Sequence, residues 1–175
     1  MNLGLKRNEV KLVPHNQKWS MEFKEVQIDI QSALDLDFER IEHIGSTAIK
    51  EIAAKPVLDI LVGVDNLEEI EEILFDKFKK IGFYRLRIER ENEIVLAKFK
   101  DDSFNEKTHF IHLVQFEGEK WRDLIFFRDC LNSNESLRKE YEQIKISFVA
   151  KQNTGINEYT DAKEVFVKRV FDMNK

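Results

Sequence analysis

The stretch "EHIGSTAIKEIAAKPVLDILVGV", Glu42 to Val64, holds the residue types and spacing in this chain best suited to chemistry. Gly45 and Ser46 stand between a short apolar run and a segment of helical character. Such a turn frees backbone N–H groups at a helix start, a ready seat for a phosphate. Ser46 and Thr47 add hydroxyl donors. Asp59 sits in the middle of the next apolar run, where aspartate is depleted and seldom buried without a partner. Beside phosphates, that carboxylate suits a hard divalent cation, Mg2+ or Mn2+. A cation so placed neutralises charge and orients a phosphoryl or nucleotidyl group for in-line attack. The plain alternatives are an ordinary turn and cap at Gly45-Ser46, and an aspartate neutralised by a neighbouring Lys or Arg.

Other residues extend this set. Glu42 and His43 precede the turn, and strand alternation sends them to opposite faces, so at most one faces Asp59. Glu42 is a candidate metal ligand. His109 and His112 lie three apart in an apparent strand and should also face opposite ways. His112, between Ile111 and Leu113, is the candidate to ligate a metal, accept a proton or hydrogen-bond Asp59. Lys55, Lys98, Arg122 and Arg128 are candidate phosphate cations, with Lys98 and Arg128 favoured. Arg offers a planar fork and Lys a point charge. With 28 Lys and Arg in the chain, most belong to solvated surface. Cys130 reads as a small buried apolar residue. The run "EEIEE" reads as a solvated helix face.

The elements that must position these residues follow from periodicity. Trp19, Phe23, Val26, Ile30 and Leu34 fall on one helical face, with Asn16 as its cap. "VKLVP", residues 10–14, is a short extended segment. "FERIEHIGS" predicts a strand ending at Gly45. "TAIKEIAA" predicts a brief helix stopped by Lys55-Pro56. "PVLDILVGV" predicts a central strand. "DNLEEIEEILFDKFKKIGF" predicts a helix from Asp65 or Asn66, acidic early and basic late, closed by Gly82. "FYRLRIER" and "EIVLAKFK" pair as a hairpin, and "THFIHLVQF" is a fifth strand. Three amphipathic helices complete the chain. The first is "EKWRDLIFFRDCL". The second is capped by Ser133 and carries Leu137, Tyr141, Ile144 and Phe148. The third spans residues 157–172, with Tyr159, Ala162, Val165, Phe166 and Val170. The order predicts an α/β (α+β) fold, a mixed sheet flanked by helices, as one domain over residues 1–175. Residues 10–116 would hold the sheet and residues 117–175 the C-terminal helices.

Composition narrows the function classes. A chain of 175 residues with 42% hydrophobic and 35% charged residues is sized and balanced for one globular domain. The 14 Phe residues supply ample aromatic area for its core. A net charge of −5 argues against general affinity for nucleic acid, while leaving room for a local basic pocket. A single cysteine rules out a disulfide framework and a thiolate zinc cluster. No run approaches the roughly 18 apolar residues of a membrane span, and the first residues lack a signal-like apolar core. The expectation is a cytoplasmic protein without membrane partners.

The strand–Gly-Ser–helix–strand–Asp layout resembles the nucleotidyltransferase superfamily. The segments "VKLVPHNQKW", "IEHIGSTAI", "AAKPVLDILVGV", "THFIHLV", "WRDLIFFRDCL" and "YTDAKEVFVKRV" together resemble the GrpB family across almost the whole chain. The resemblance implies a nucleotidyltransferase-like fold. It also implies metal-dependent transfer of a nucleotidyl group from an NTP to an unknown acceptor. On that reading Gly45, Ser46, Thr47, Lys98 and Arg128 hold the triphosphate, and Asp59 holds Mg2+ or Mn2+. Glu42 or His112 completes the metal shell, and His112 shares catalysis with Asp59. Superfamily members usually carry two carboxylates at i and i+2 on this strand, both reaching the metal. Here the second position is Leu61, and the later strand offers His109 and His112 instead of a third carboxylate. The alternative is therefore a catalytically inactive nucleotide- or small-ligand-binding module on the same fold. A third class is a hydrolase or phosphotransferase with a His112–Asp59 metal centre.

Overall fold

The computed structural model describes residues 3–6, 9, 11–88, 90–150 and 157–174, without the side chains of residues 157–162. Val10 and the side chains of Tyr159 and Ala162 thus lie outside the described residues. At the centre of the sheet β3 (Leu58–Val64) runs parallel to β6 (Glu106–Gln115). This pair is covered on both faces, which is why β3 is apolar at almost every position. Outward from β3 lies antiparallel β2 (Ile41–Ile44). Beyond β6 come β5 (Ile94–Phe99) and β4 (Phe83–Arg85), both antiparallel to their neighbours. The order is β2-β3-β6-β5-β4. A sixth strand, β1 (Leu5–Lys6), pairs with the start of β6, Leu5 opposite Lys107. Its two residues are too few to carry a periodicity, so nothing in the sequence marks it as a strand.

Alternation divides the strands between two layers. Ile60 and Val62 of β3, with Ile41, Leu96, Ile111 and Leu113, face α1 (Lys18–Leu34) and α2 (Glu72–Lys80). Val26, Ile30 and Leu34 of α1 and Phe78 of α2 close that core, each burial contributing about 2 kcal/mol. Leu61, with Ile44 and Val114, faces Trp121 of α3 (Glu119–Ser133) on the other side. Helices α4 (Glu135–Ala150) and α5 (Asn157–Asp172) build a second core with α3 around Phe127, Leu131, Tyr141, Phe166 and Val170. Asp59 points into this C-terminal layer, in register with Ile44 and Phe110. Among the described residues no helix is long and apolar enough to cross a membrane.

Three expectations change. "TAIKEIAA" is not a helix. A single 3-10 turn, Ser46–Ala48, gives way to a loop with Glu51 at φ 61°. The loop's backbone bonds go to side chains of α3 and α4. Asn132 accepts from Lys50 N–H and donates to Ala48 O, while Glu142 accepts from Ala53 N–H. Those tertiary bonds replace helical ones while Ile49 and Ile52 drop into the C-terminal core. Helix α2 begins at Glu72 rather than at residue 65 or 66. Asn66 Oδ1 accepts from Glu68 N–H, a local turn that competes with helix, and Leu67 and Ile70 reach the core from irregular chain. Ser133 is the last residue of α3, its hydroxyl bonding back to the Asp129 and Cys130 carbonyls. Asn134 caps α4 instead, through Leu137 N–H. At the start of α1 the cap position is Gln17, one residue after the expected Asn16, whose Oδ1 accepts from Lys18 N–H.

Candidate functional site

Where β2 ends, Gly45 turns the chain with φ 70° and ψ −171°, a combination open in practice only to glycine. Asp59 of β3 packs directly beneath it. A Cβ on Gly45 would stand 2.9 Å from Asp59 Cβ and Cγ and closer still to Oδ2. The turn and the carboxylate are thus one unit, although neither hydrogen-bonds the other in the structure as described.

Asp59 Oδ1 is 3.2 Å from His112 Nε2, and His112 Nδ1 is 2.5 Å from Oε1 of Glu93. Glu93 is buried at the entry to β5, and Arg90 (3.0 Å) and Lys120 of α3 (3.2 Å) also reach its carboxylate. Burial lowers the His112 pKa. Hydrogen bonds and charges from Asp59 and Glu93 outweigh it and raise the value to about 9. Burial raises that of Glu93, but His112, Lys120 and Arg90 bring it to about 2. At neutral pH His112 is therefore an imidazolium donating from both nitrogens, clamped between two carboxylates. In that state it has no lone pair to offer a metal. It holds Asp59 in place.

Asp59 and Ser46 line one cleft, a cavity of about 360 Å3, the size of a small-molecule site. Tyr141 of α4 closes it, its hydroxyl 3.2 Å from Ser46 Oγ. Lys6, Lys55, Lys107, Lys145 and Lys163 line it, against Glu9 and Asp59. Of these lysines, only Lys55 stands out in the sequence as a candidate phosphate cation. Lys6, Lys107, Lys145, Lys163 and Glu93 carry no such mark in the sequence. Their positions come from β1, β6, α4, α5 and the β4–β5 connection, and no local motif ties them to Asp59. The one available signal was Glu93 opening an apolar strand.

The remaining predicted residues sit elsewhere. Thr47 Oγ1 is 2.9 Å from His43 Nε2, and His43 stacks on Phe23 of α1 on the opposite side of the sheet. Burial takes the His43 pKa down to about 4, Arg128 and His15 adding to the fall and Asp59 opposing it. Lys98 pairs in register with His109, so it also faces away from Asp59, with Nζ 5.6 Å from the Phe83 ring centroid. His109 and His112 face opposite ways, as their spacing predicts. His109 lies 3.5 Å from Glu22 of α1. Arg128 of α3 is on the Asp59 side but committed: it donates to Glu42, to the His43 carbonyl at 3.0 Å and to Asp129 at 2.7 Å. Glu42 is thus held by a guanidinium rather than left for a cation. Arg128→Ala leaves that carboxylate and the carbonyl without their donor. A loss of about 2 kcal/mol in urea unfolding is expected, with Arg128→Lys recovering only part, since one ammonium cannot reproduce the fork.

A mixed sheet with α1 and α2 on one face, α3 with α4 and α5 packed on it toward the other, and a lysine-lined cleft over a Gly-Ser turn defines a small α/β protein. The chain belongs to the GrpB family: the family model described as "GrpB protein" matches residues 9–173. It is 37% identical over 171 residues to "Glutamate-rich protein GrpB" of Alkalihalophilus pseudofirmus, covering 97% of this chain and 98% of that protein. It is 28% identical over 162 residues to "UPF0157 protein YqkA" of Bacillus subtilis, covering 93% of this chain but 46% of that protein. The fold matches the crystal structure of conserved protein GrpB from Enterococcus faecalis with a TM-score of 0.76 and 25% identity, over 93% of this chain and 96% of that one.

Proposed function

We propose that the cleft binds a small phosphate-bearing molecule of the nucleotide class. One observation carries the reading: five lysines meet two carboxylates and the Ser46 hydroxyl around a single cavity, in a chain whose net charge is −5. Concentrating cations against the overall balance is how a protein makes a local anion site. Phe110, Tyr141 and Phe148 on the same walls offer apolar surface to a ring.

The donor set does not fit a divalent cation held by the protein alone. Asp59 is a single carboxylate with Leu61 at the next inward position, both ring nitrogens of His112 are taken by Asp59 and Glu93, and Glu42 belongs to Arg128. Among the described residues no three His, Cys, Asp or Glu side chains are grouped to hold a metal. The cations of this site are lysines. Nucleotidyl transfer from an NTP stands as the second reading, favoured by the Asp59 carboxylate on the cavity wall beside Ser46. Mg2+ brought by a nucleotide needs only one or two protein carboxylates.

Calorimetry with ATP, GTP, CTP and UTP, each with and without Mg2+ or Mn2+, tests both. Binding without metal is expected, weakened roughly tenfold in Lys107→Ala, the cost of one partly exposed charge contact. Silence from all four nucleotides with a folded protein ends the proposal. Binding and turnover that require metal, and are lost in Asp59→Asn, decide for transfer.

A further inference from the structure

We infer that the cleft takes up its anionic ligand together with a proton, and that this proton lands on Lys145 Nζ. The inference rests on the reading of the cleft as a phosphate site and specifies how that site is charged. Lys145 follows Tyr141 by one turn of α4, is 5% exposed, and lines the cavity. Its Nζ donates to the Ala53 carbonyl at 2.5 Å and lies 4.8 Å from the Tyr141 ring centroid. Among the described residues its partners are thus a carbonyl and a ring, not a carboxylate. The nearest acid along the helix, Glu142, accepts from Ala53 N–H at 2.7 Å.

The charged groups around the same space are mostly of like sign. Lys163 enters from α5, Lys55 from the loop before β3, and Lys107 from β6. Lys6 comes from β1, with Glu9 and Asp59 opposing them. Burial outweighs the opposing charge of Glu142 and, with a smaller push from Lys163, brings the Lys145 pKa down to about 7. Lys55 is shifted the same way, by burial and Lys163 against Asp59. Without an anionic ligand, the cleft therefore holds one amine that is largely neutral above pH 7. A phosphate supplies the missing counter-charge and draws a proton onto it, as an opposite charge favours the protonated form of a base. Lysine suits this role because its pKa moves readily on burial, whereas an arginine stays charged.

Linkage fixes the sign. Affinity is flat below about pH 7 and falls by up to about tenfold per pH unit above it, until the amine is neutral in the complex too. The test is calorimetry with ATP at pH 8, repeated in buffers of different ionisation enthalpy. A phosphate whose last ionisation is near about pH 6 exchanges almost no proton of its own there. Wild-type protein is expected to take up close to one proton per ATP. Lys145→Arg should bind with no uptake and with affinity nearly level from pH 7 to pH 9. Lys145→Met, which keeps the apolar stem, should bind more weakly and equally without pH dependence. Binding with no proton uptake overturns the inference and leaves the phosphate site standing. Uptake that persists in both variants overturns it as well and assigns the proton to Lys55. No binding of ATP, GTP, CTP or UTP overturns the phosphate site and this inference with it.

Discussion

Replacing His112 by Gln is expected to cost about 3 kcal/mol at pH 6.5, and the cost is expected to vanish as the pH rises past 9. Glu93 is buried, and Asp59 lies across the ring from it. Removing the cation between them leaves two carboxylates facing a neutral amide. Breaking a buried charge pair by deleting one partner typically costs about 3–5 kcal/mol. The residual contacts of Glu93 with Lys120 and Arg90 put this case at the low end. The pH dependence follows from the direction of the shift. The folded pKa of His112, about 9, lies above the ordinary 6.5, so its contribution is complete below pH 6.5 and lost as the pH climbs through 9. Lys145 runs the other way: its folded pKa is depressed, so rising pH relieves a cost between about 7 and its ordinary 10.5. The wild-type curve alone mixes the two. The difference between wild type and His112→Gln, from urea unfolding at steps between pH 6 and pH 9.5, isolates the imidazolium. A difference that stays constant over that range would refute the clamp. Ring 15N shifts supply an independent reading, with His112 protonated at pH 7.5 and His43 neutral.

Gly45→Ala is expected to destabilise the fold by about 3 kcal/mol and to abolish ligand binding in the cleft. Two effects add. A non-glycine residue at this φ and ψ carries strain of about 1–3 kcal/mol. The new methyl also meets Asp59 Cβ, Cγ and Oδ2, and these are not the far end of a flexible chain. Asp59 is fixed from behind by His112, so either the β2–β3 turn or the carboxylate must move, and both border the cavity. Urea unfolding together with nucleotide titration checks this. A variant with unchanged midpoint and affinity would show that Gly45 is no more than an exchangeable turn residue.

Much of the layout was legible from pattern because local physics writes it locally. The 3.6-residue spacing of Trp19 to Leu34 gave α1, the apolar run around Asp59 gave β3, and "THFIHLVQF" gave β6. Alternation alone put His109 and His112 on opposite faces and placed Leu61 where a second inward carboxylate would stand. Asp59 with a hydrogen-bonding His112 was among the options open from sequence. The loop 49–54 was illegible for the opposite reason. Its helical composition was overruled by Asn132, Glu142 and Lys145, residues some 80–90 positions away that satisfy its backbone.

By itself, then, the sequence determined most of the elements, the faces their side chains take, the Gly-Ser turn and the isolated aspartate. These are properties of neighbours along the chain, set by sterics and by the periods of helix and strand. The tertiary structure alone decided what Asp59 meets. The parallel pairing of β3 with β6 brought His112 against it, the β4–β5 connection delivered Glu93 behind the ring, and α4 and α5 closed a lysine-lined cavity over Ser46. Thr47, Lys98 and Arg128, equally plausible by type, were turned to other partners by the same packing. Which of many lysines becomes a site and which remains surface is fixed by long-range convergence and burial, and residue type carries neither.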